Sequence, residues 1–293
     1  MSQSQRRSAA IGIGYLAIAI IGQHRTNQPP SNVGSRGTKR TMNFLTAHWE
    51  HLILANYRVD PHLLENFVPS GTRIDFHDSV TYVSLVAFLF RNTRVLGISV
   101  PGHRDFEEVN LRFYVVPKHA PQQRAVTFLS EIVPKSVIPW VANSLFHENY
   151  VAMPMSHTLD RSRFEVSWFL PNSKSRGGNS TLTNSSSQPI LREHSFGVRV
   201  PTNLALPDEG SLAQFITEHY WGYAKAPRYT LEYQVHHPSW ACCEVEDYDI
   251  QIDFGASYGQ AFAFLQDRRP DQVLYAAGSD VGVSFPRRRY WSP

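Results

Sequence analysis

The chain has 293 residues, 42% hydrophobic and 12% aromatic, enough for one large core or two at most. Its net charge of +3 is unevenly placed: Arg6, Arg7, Arg25, Arg36, Lys39 and Arg40 lie in residues 1–41 with no acid, which leaves 22 bases against 25 acids in the remainder. A mildly acidic body argues against nucleic acid as a partner, because phosphate binding needs a concentrated basic face.

In chain order, the first feature is the small apolar run from Ala9 to Ile21, preceded by Arg6-Arg7. It is short for a spanning helix, which needs roughly 17–25 residues, and it resembles the apolar part of a signal peptide. Gly22-Gln23-His24-Arg25 is a poor cleavage site, however. Thr26 to Thr41, rich in Pro, Ser, Asn, Gly and base, reads as disordered. Two readings stand: an export or anchor segment, or an upstream extension with the folded pattern starting at Met42. The expected localisation is cytoplasmic, with export or anchoring as the alternative, and no membrane is expected to engage the folded body.

From Phe44 on, strands dominate. Trp49 to Val59 is a long extended segment, and Asp60-Pro61 starts a short helix to Phe67, with Asp60 as N-cap and Pro61 at the first helical position. Thr72 to Phe76 and Val80 to Phe90, joined through His77-Asp78-Ser79, read as a hairpin-like pair. Glu107 to Val116 and Ala125 to Val133 alternate as strands. Ser136 to Phe146 carries Val137, Trp140, Val141, Ser144 and Leu145 at helical spacing. Tyr150 to Leu159 and Arg163 to Leu170 form a further antiparallel pair.

Asn172 to Gln188 is a low-complexity exposed loop inside one domain, since strand pattern resumes at Leu191. Ser211 caps a helix within Asp208 to Gly222. Arg228 to His236, Trp240 to Phe254 and Gln272 to Phe285 are strands, and Arg287-Arg288-Arg289 reads as a solvated tail. The expected domains are thus a leader over 1–41, a folded domain over 42–286 and a basic tail over 287–293. About ten strands with two or three helices, no βαβ alternation and no repeat predict a single antiparallel sheet curled toward a barrel.

Lys135 is the most informative residue. Only five of the 28 basic residues are lysines, and this one joins the apolar strand ending Val133-Pro134 to the apolar helix-like Ser136 to Val141. An amine there is either a solvated joint or is desolvated. A desolvated amine has a lowered pKa and attacks carbonyl carbon. Glu131, four residues earlier, has two readings: a site carboxylate, or a structural ion pair that raises the pKa of the amine and quenches it.

Cys242 and Cys243 are adjacent, so a disulfide between them is strained, and the lack of a disulfide framework fits a reducing compartment. His236-His237 with Cys242-Cys243 fails as a zinc set, since neighbours on a strand diverge; no metal and no cofactor is expected. Neither a nucleophile elbow nor a Gly-rich phosphate loop is present.

Several segments together resemble the YqjF-like family of uncharacterised conserved proteins, within the acetoacetate-decarboxylase-like superfamily. They are HWEHLILANYRVDPHLLENFVPSG (48–71), TYVSLVAFLF (81–90), EEVNLRFYVV (107–116), ENYVAMPM (148–155), PDEGSLAQFITEHYWGYA (207–224) and HHPSW (236–240). The resemblance covers about residues 44–253. It implies a mainly β (α+β) fold: a single antiparallel acetoacetate-decarboxylase-like β-barrel with a few flanking helices and one internal cavity.

In that superfamily's decarboxylases a Pro-Lys-Lys segment supplies a Schiff-base lysine and a second cationic lysine. The handling of such an amine is a known example of a perturbed lysine nucleophile. Here Pro134-Lys135-Ser136 keeps the first lysine and replaces the second. The arginine of the first strand is missing from Trp49-Glu50-His51. The family's acidic residue precedes the strand matched by Val109 to Val116, and Glu107 and Glu108 stand too close to that strand to replace it.

The resemblance therefore implies a small-molecule-binding protein, with Lys135 as the catalytic residue if a lyase reaction is retained. Glu50, His51, Arg112, Glu131, His237 and Trp240 are the expected ligand-binding residues. His237 and Trp240 are expected to anchor a turn around Pro238 at the cavity mouth. The rival is a binding or sensing module without turnover. A structural or interaction role and homo-oligomer formation stay open.

Overall fold

The computed structural model describes residues 43–99, 101–134, 149–171 and 191–290. Residues 1–41, Lys135, the expected helix Ser136 to Phe146 and the expected loop Asn172 to Gln188 lie outside the described residues.

Among the described residues fifteen strands follow in order. They are β1 (Asn43–Val59), β2 (Thr72–Ile74), β3 (Thr81–Val95), β4 (Phe106–Pro117), β5 (Ala125–Val133), β6 (Tyr150–Ala152), β7 (Met155–Leu159) and β8 (Arg163–Pro171). The second half adds β9 (Leu191–Arg199), β10 (Trp221–Lys225), β11 (Thr230–His236), β12 (Cys242–Glu244), β13 (Tyr248–Gln251), β14 (Gln272–Ser284) and β15 (Arg287–Arg289). Eleven of them form one sheet in the order β12-β14-β1-β3-β4-β5-β10-β11-β15, with β2 on β4 and β6 on β5; the other four form a second sheet, β13-β9-β8-β7.

The expected single antiparallel barrel is corrected on three counts. There are two sheets, and in the larger one β5 runs parallel to both β6 and β10. The large sheet also does not close as a barrel: its path runs from an edge at β12 to an edge at β15. β11 touches β14 only at Val235–Val283 and His236–Gly282, and the rest of β11 is taken by β10 and β15. What remains is a strongly curled sheet with a concave and a convex face.

Both faces are buried, which explains the near-continuous apolar run of β3 and the burial of every residue of β4. Alternate residues point to opposite sides of a strand. Val83, Leu85, Val109, Leu111 and Phe113 thus join one core with Phe164, Val166, Trp168, Phe196 and Val198 of the second sheet. Their neighbours Tyr82, Val86, Phe88, Phe106 and Tyr114 join another, with Phe215, Trp240 and Leu274, on the concave side.

Local signals hold in several places. The Asp60 side chain accepts from the His62 amide, although the segment it starts is two short 3-10 turns, Pro61–Leu63 and Glu65–Phe67. Ser211 caps the helix Leu212–Thr217 through the Gln214 amide.

Pairing differs from expectation elsewhere. The His77–Val80 turn forms, but β2 pairs with β4 rather than with β3. Residues 240–254 split between the two sheets as β12 and β13. Arg287–Arg289 form β15, paired to Thr230–Glu232; Arg287 and Arg288 are exposed, and Arg289 stands 2.5 Å from the Glu232 carboxylate. Among the described residues no helix is long and apolar enough to cross a membrane.

Candidate functional site on the concave face

The middle of β4 supplies the polar residues of the concave face. Glu108, Asn110 and Arg112 alternate with the apolar Val109, Leu111 and Phe113, and all three are buried. Pairing extends the row across the sheet: Asn110 lies opposite Glu131 on β5, and Glu131 lies opposite Tyr150 on β6. The β4–β5 register slips between Leu111 and Arg112, an irregularity of the kind that re-aims side chains.

Asn110 Nδ2 donates to Glu108 Oε1 at 3.0 Å, and the Tyr150 hydroxyl stands 3.4 Å from Glu108 Oε2. Tyr150 also hydrogen-bonds Glu131. A phenol has one proton to give. If it goes to Glu131, the Glu108 contact is made by the proton of Glu108 itself. Burial supports that state: it pushes the Glu108 carboxyl up to about 7, against the opposing pull of Asn110, Tyr150 and Arg112.

Arg112 reaches out of the strand toward the end of the helix Leu212–Thr217, where its Nη2 donates to the Ile216 carbonyl at 3.5 Å. His219, just past that helix, is buried against Tyr114 and Phe215 at ring separations of 4.6 and 5.2 Å. Burial, reinforced by Arg112 and Arg124, holds His219 well below the usual histidine range, so it is neutral. His237 is lowered as well, mainly by burial, with Arg112 adding to the effect. Its ring stacks on Trp240 at 4.1 Å, and Trp240 lies 5.9 Å from Trp49.

Several buried polar atoms in this region have no hydrogen-bond partner. They are Arg112 Nε, Asn110 Oδ1, Trp49 Nε1 and both ring nitrogens of His219; the nearby Ile216 carbonyl offsets only a small part of the burial that keeps that ring neutral. Leaving such atoms unpaired costs about 1–3 kcal/mol each.

Arg112 and Glu131 thus lie on the neighbouring strands β4 and β5, and Arg112 is an electrostatic neighbour of His237, which stacks on Trp240. The structure does not bring Glu50 and His51 to them. His51 packs on Phe164 of the second sheet at 5.2 Å and contacts the Tyr275 hydroxyl through Nδ1 at 2.6 Å. Its φ of 54 falls at a register slip in β1, between Glu50 and Ile53, which turns the ring toward that sheet. Glu50 pairs with Arg91 at 3.0 Å and is an electrostatic neighbour of His51 and Tyr275. Glu107 also faces this side, 2.5 Å from His157 of β7.

Glu108, Asn110, Tyr150 and His219 were not singled out by sequence. The available signal was the period of two in Glu108-x-Asn110-x-Arg112 within an otherwise apolar strand. Among the described residues no group of three or more His, Cys, Asp or Glu is placed to hold a metal ion.

Residues 46–280 match the family DUF2071, described as an uncharacterised conserved protein. The uncharacterised protein YqjF of Bacillus subtilis (strain 168) is 31% identical over 103 residues, 35% of this chain and 41% of that protein. The match therefore spans about two fifths of that relative's length.

Among solved structures, the enduracididine biosynthesis enzyme MppR with HEPES bound aligns with a TM-score of 0.56 at 12% identity, over 91% of this chain and 99% of that one. The same enzyme complexed with pyruvate gives 0.53 at 12% identity, over 86% and 92%. Acetoacetate decarboxylase from Legionella pneumophila gives 0.53 at 9%, over 91% and 98%. At such identities the likeness establishes the fold.

Proposed function

The chain belongs to the DUF2071 family of uncharacterised conserved proteins and has the fold of the acetoacetate-decarboxylase-like superfamily, and from these premises we propose that its concave face binds a small carbonyl or carboxylate ligand. One observation carries this reading: Arg112, Asn110 and His219 present buried, unpaired polar atoms on the same face. A ligand carboxylate satisfies Arg112 Nε and a neutral His219 N–H, and a ligand hydroxyl or N–H satisfies Asn110 Oδ1.

The catalytic form of the proposal adds Lys135. Its amine attacks the keto carbon, water leaves, and an iminium forms that accepts the electron pair released when carbon dioxide or a proton departs. Glu108, protonated near neutrality, is the proton donor for the resulting enamine, and water then hydrolyses the imine to free the lysine. MppR complexed with pyruvate shows a keto acid bound to a protein of this fold. That supports the choice of ligand class.

The test is reductive trapping. Incubation with acetoacetate or pyruvate and borohydride is expected to add one reduced ligand mass, and Lys135→Ala to abolish it. No adduct across a panel of keto acids would reject the lyase reading. Binding itself is tested by calorimetry: Arg112→Ala is expected to weaken affinity for a bound keto acid by about 10–100-fold, the worth of a hydrogen bond to a charged group. Unchanged affinity would remove Arg112 from the site.

A second reading, binding without turnover, draws on Ser136, which stands where the decarboxylases carry their second lysine. Adduct-free binding that depends on Arg112 would select it.

A further inference from the structure

Away from the concave face, a cleft of about 540 Å³ opens between the β9–β13 edge of the second sheet and the segment after the 3-10 helix Gln260–Asp267. None of the residues expected from sequence to bind ligand lines it. Its two walls differ in charge. Glu193 of β9 and Asp249 of β13 stand on one, and Arg268 and Arg269 on the other.

The interior of the cleft carries a second, independent observation. Tyr57 of β1 is 1% exposed, packs edge-on to Phe254 at 5.8 Å, and lines the cleft. Its hydroxyl makes no hydrogen bond among the described residues, and neither does that of Tyr248, its electrostatic neighbour. Arg269 and Glu193 likewise have no ion pair. The other polar groups are partly engaged. Arg268 gives one donor to the Arg58 carbonyl at 3.1 Å, and Asp249 accepts from Gln251 at 3.0 Å.

We propose that this cleft is a second ligand site, for a small zwitterion of the amino-acid class. The carboxylate of the ligand meets Arg269 and the two phenol hydroxyls, its ammonium meets Glu193 and Asp249, and its side chain lies against the apolar floor. The opposed walls explain the choice of a zwitterion: a simple anion would face the three carboxylates of Glu193, Asp249 and Asp253, and a simple cation two arginines. The volume is that of an ordinary small-molecule site.

The test uses the full chain and a panel of free L-amino acids, each beside its N-acetyl and its carboxamide form. Saturation-transfer NMR and calorimetry read binding. At least one free amino acid is expected to bind, with both capped forms tenfold or more weaker. Tyr57→Phe, which removes one oxygen and keeps the ring, is expected to weaken binding about fivefold, and Arg269→Ala at least tenfold. Because Arg269 is exposed, its loss leaves the fold intact. Absence of binding at millimolar concentration, equal binding of capped forms, or indifference to both substitutions would overturn the proposal.

Discussion

Trp168→Ala is expected to lower stability by about 3–5 kcal/mol, the usual cost of truncating a fully buried large aromatic. Trp168 is 0% exposed on β8, opposite His194, and belongs to the core shared by the two sheets. Its indole nitrogen has no partner, so the loss comes from packing rather than from a broken hydrogen bond. Urea unfolding checks this: the midpoint should fall sharply with little change in slope. Trp168→Phe should cost much less, because the ring that fills the interface remains. A loss under 1 kcal/mol for the alanine variant would mean that the second sheet adds little to the core.

The second large effect concerns pH. Glu108 is raised in the folded chain to about 7 from an ordinary 4.5, so between these values the folded state holds a proton that the unfolded state has released. The stabilising contribution is complete below about 4.5 and is lost as pH rises through about 7, a total of about 3 kcal/mol. The groups that face Glu108, namely Asn110, Tyr150 and Arg112, all favour its charged form, so burial alone drives the rise.

His219 acts in the opposite sense. Held neutral by burial, it costs stability as pH falls below 6.5, when the unfolded chain binds a proton that the folded one refuses. Wild-type stability therefore mixes two opposed slopes, and the comparison that isolates Glu108 is with Glu108→Gln. The variant is expected to gain on the wild type from pH 5 to about pH 7 in urea midpoints and to hold that gain above it. A constant difference across that range would mean that Glu108 is ionised throughout.

Much of the local structure could be read from the residues. The bounds of β5, the capping of Leu212–Thr217 by Ser211 and the turn after Asp60 all follow from signals within a few residues of one another. Pairing partners were less legible, as β2 shows: the His77–Val80 turn suggests a hairpin with β3, but the strand hydrogen-bonds to β4. A period of two says that a strand has faces and is silent on which neighbour lies beside it.

The site was legible in part. Arg112 and Glu131 were singled out and lie on the neighbouring strands β4 and β5, whereas Glu50 and His51 turn to the other side of the sheet because β1 slips register at His51. Glu108 was set aside for lying in the strand rather than before it, yet its position within β4 is what buries it on the concave face.

Composition, alternation and capping residues by themselves determined that this is a mainly β chain with short helices and an acidic folded body, because those properties depend on near neighbours. Only the tertiary structure decided that the strands divide into two sheets, that the larger one stays open at β12 and β15, and that Glu108, Asn110, Arg112, Tyr150 and His219 converge. The physical reason is that burial and convergence come from segments more than a hundred residues apart, such as Arg112 and Ile216, and no local pattern records which of them will meet.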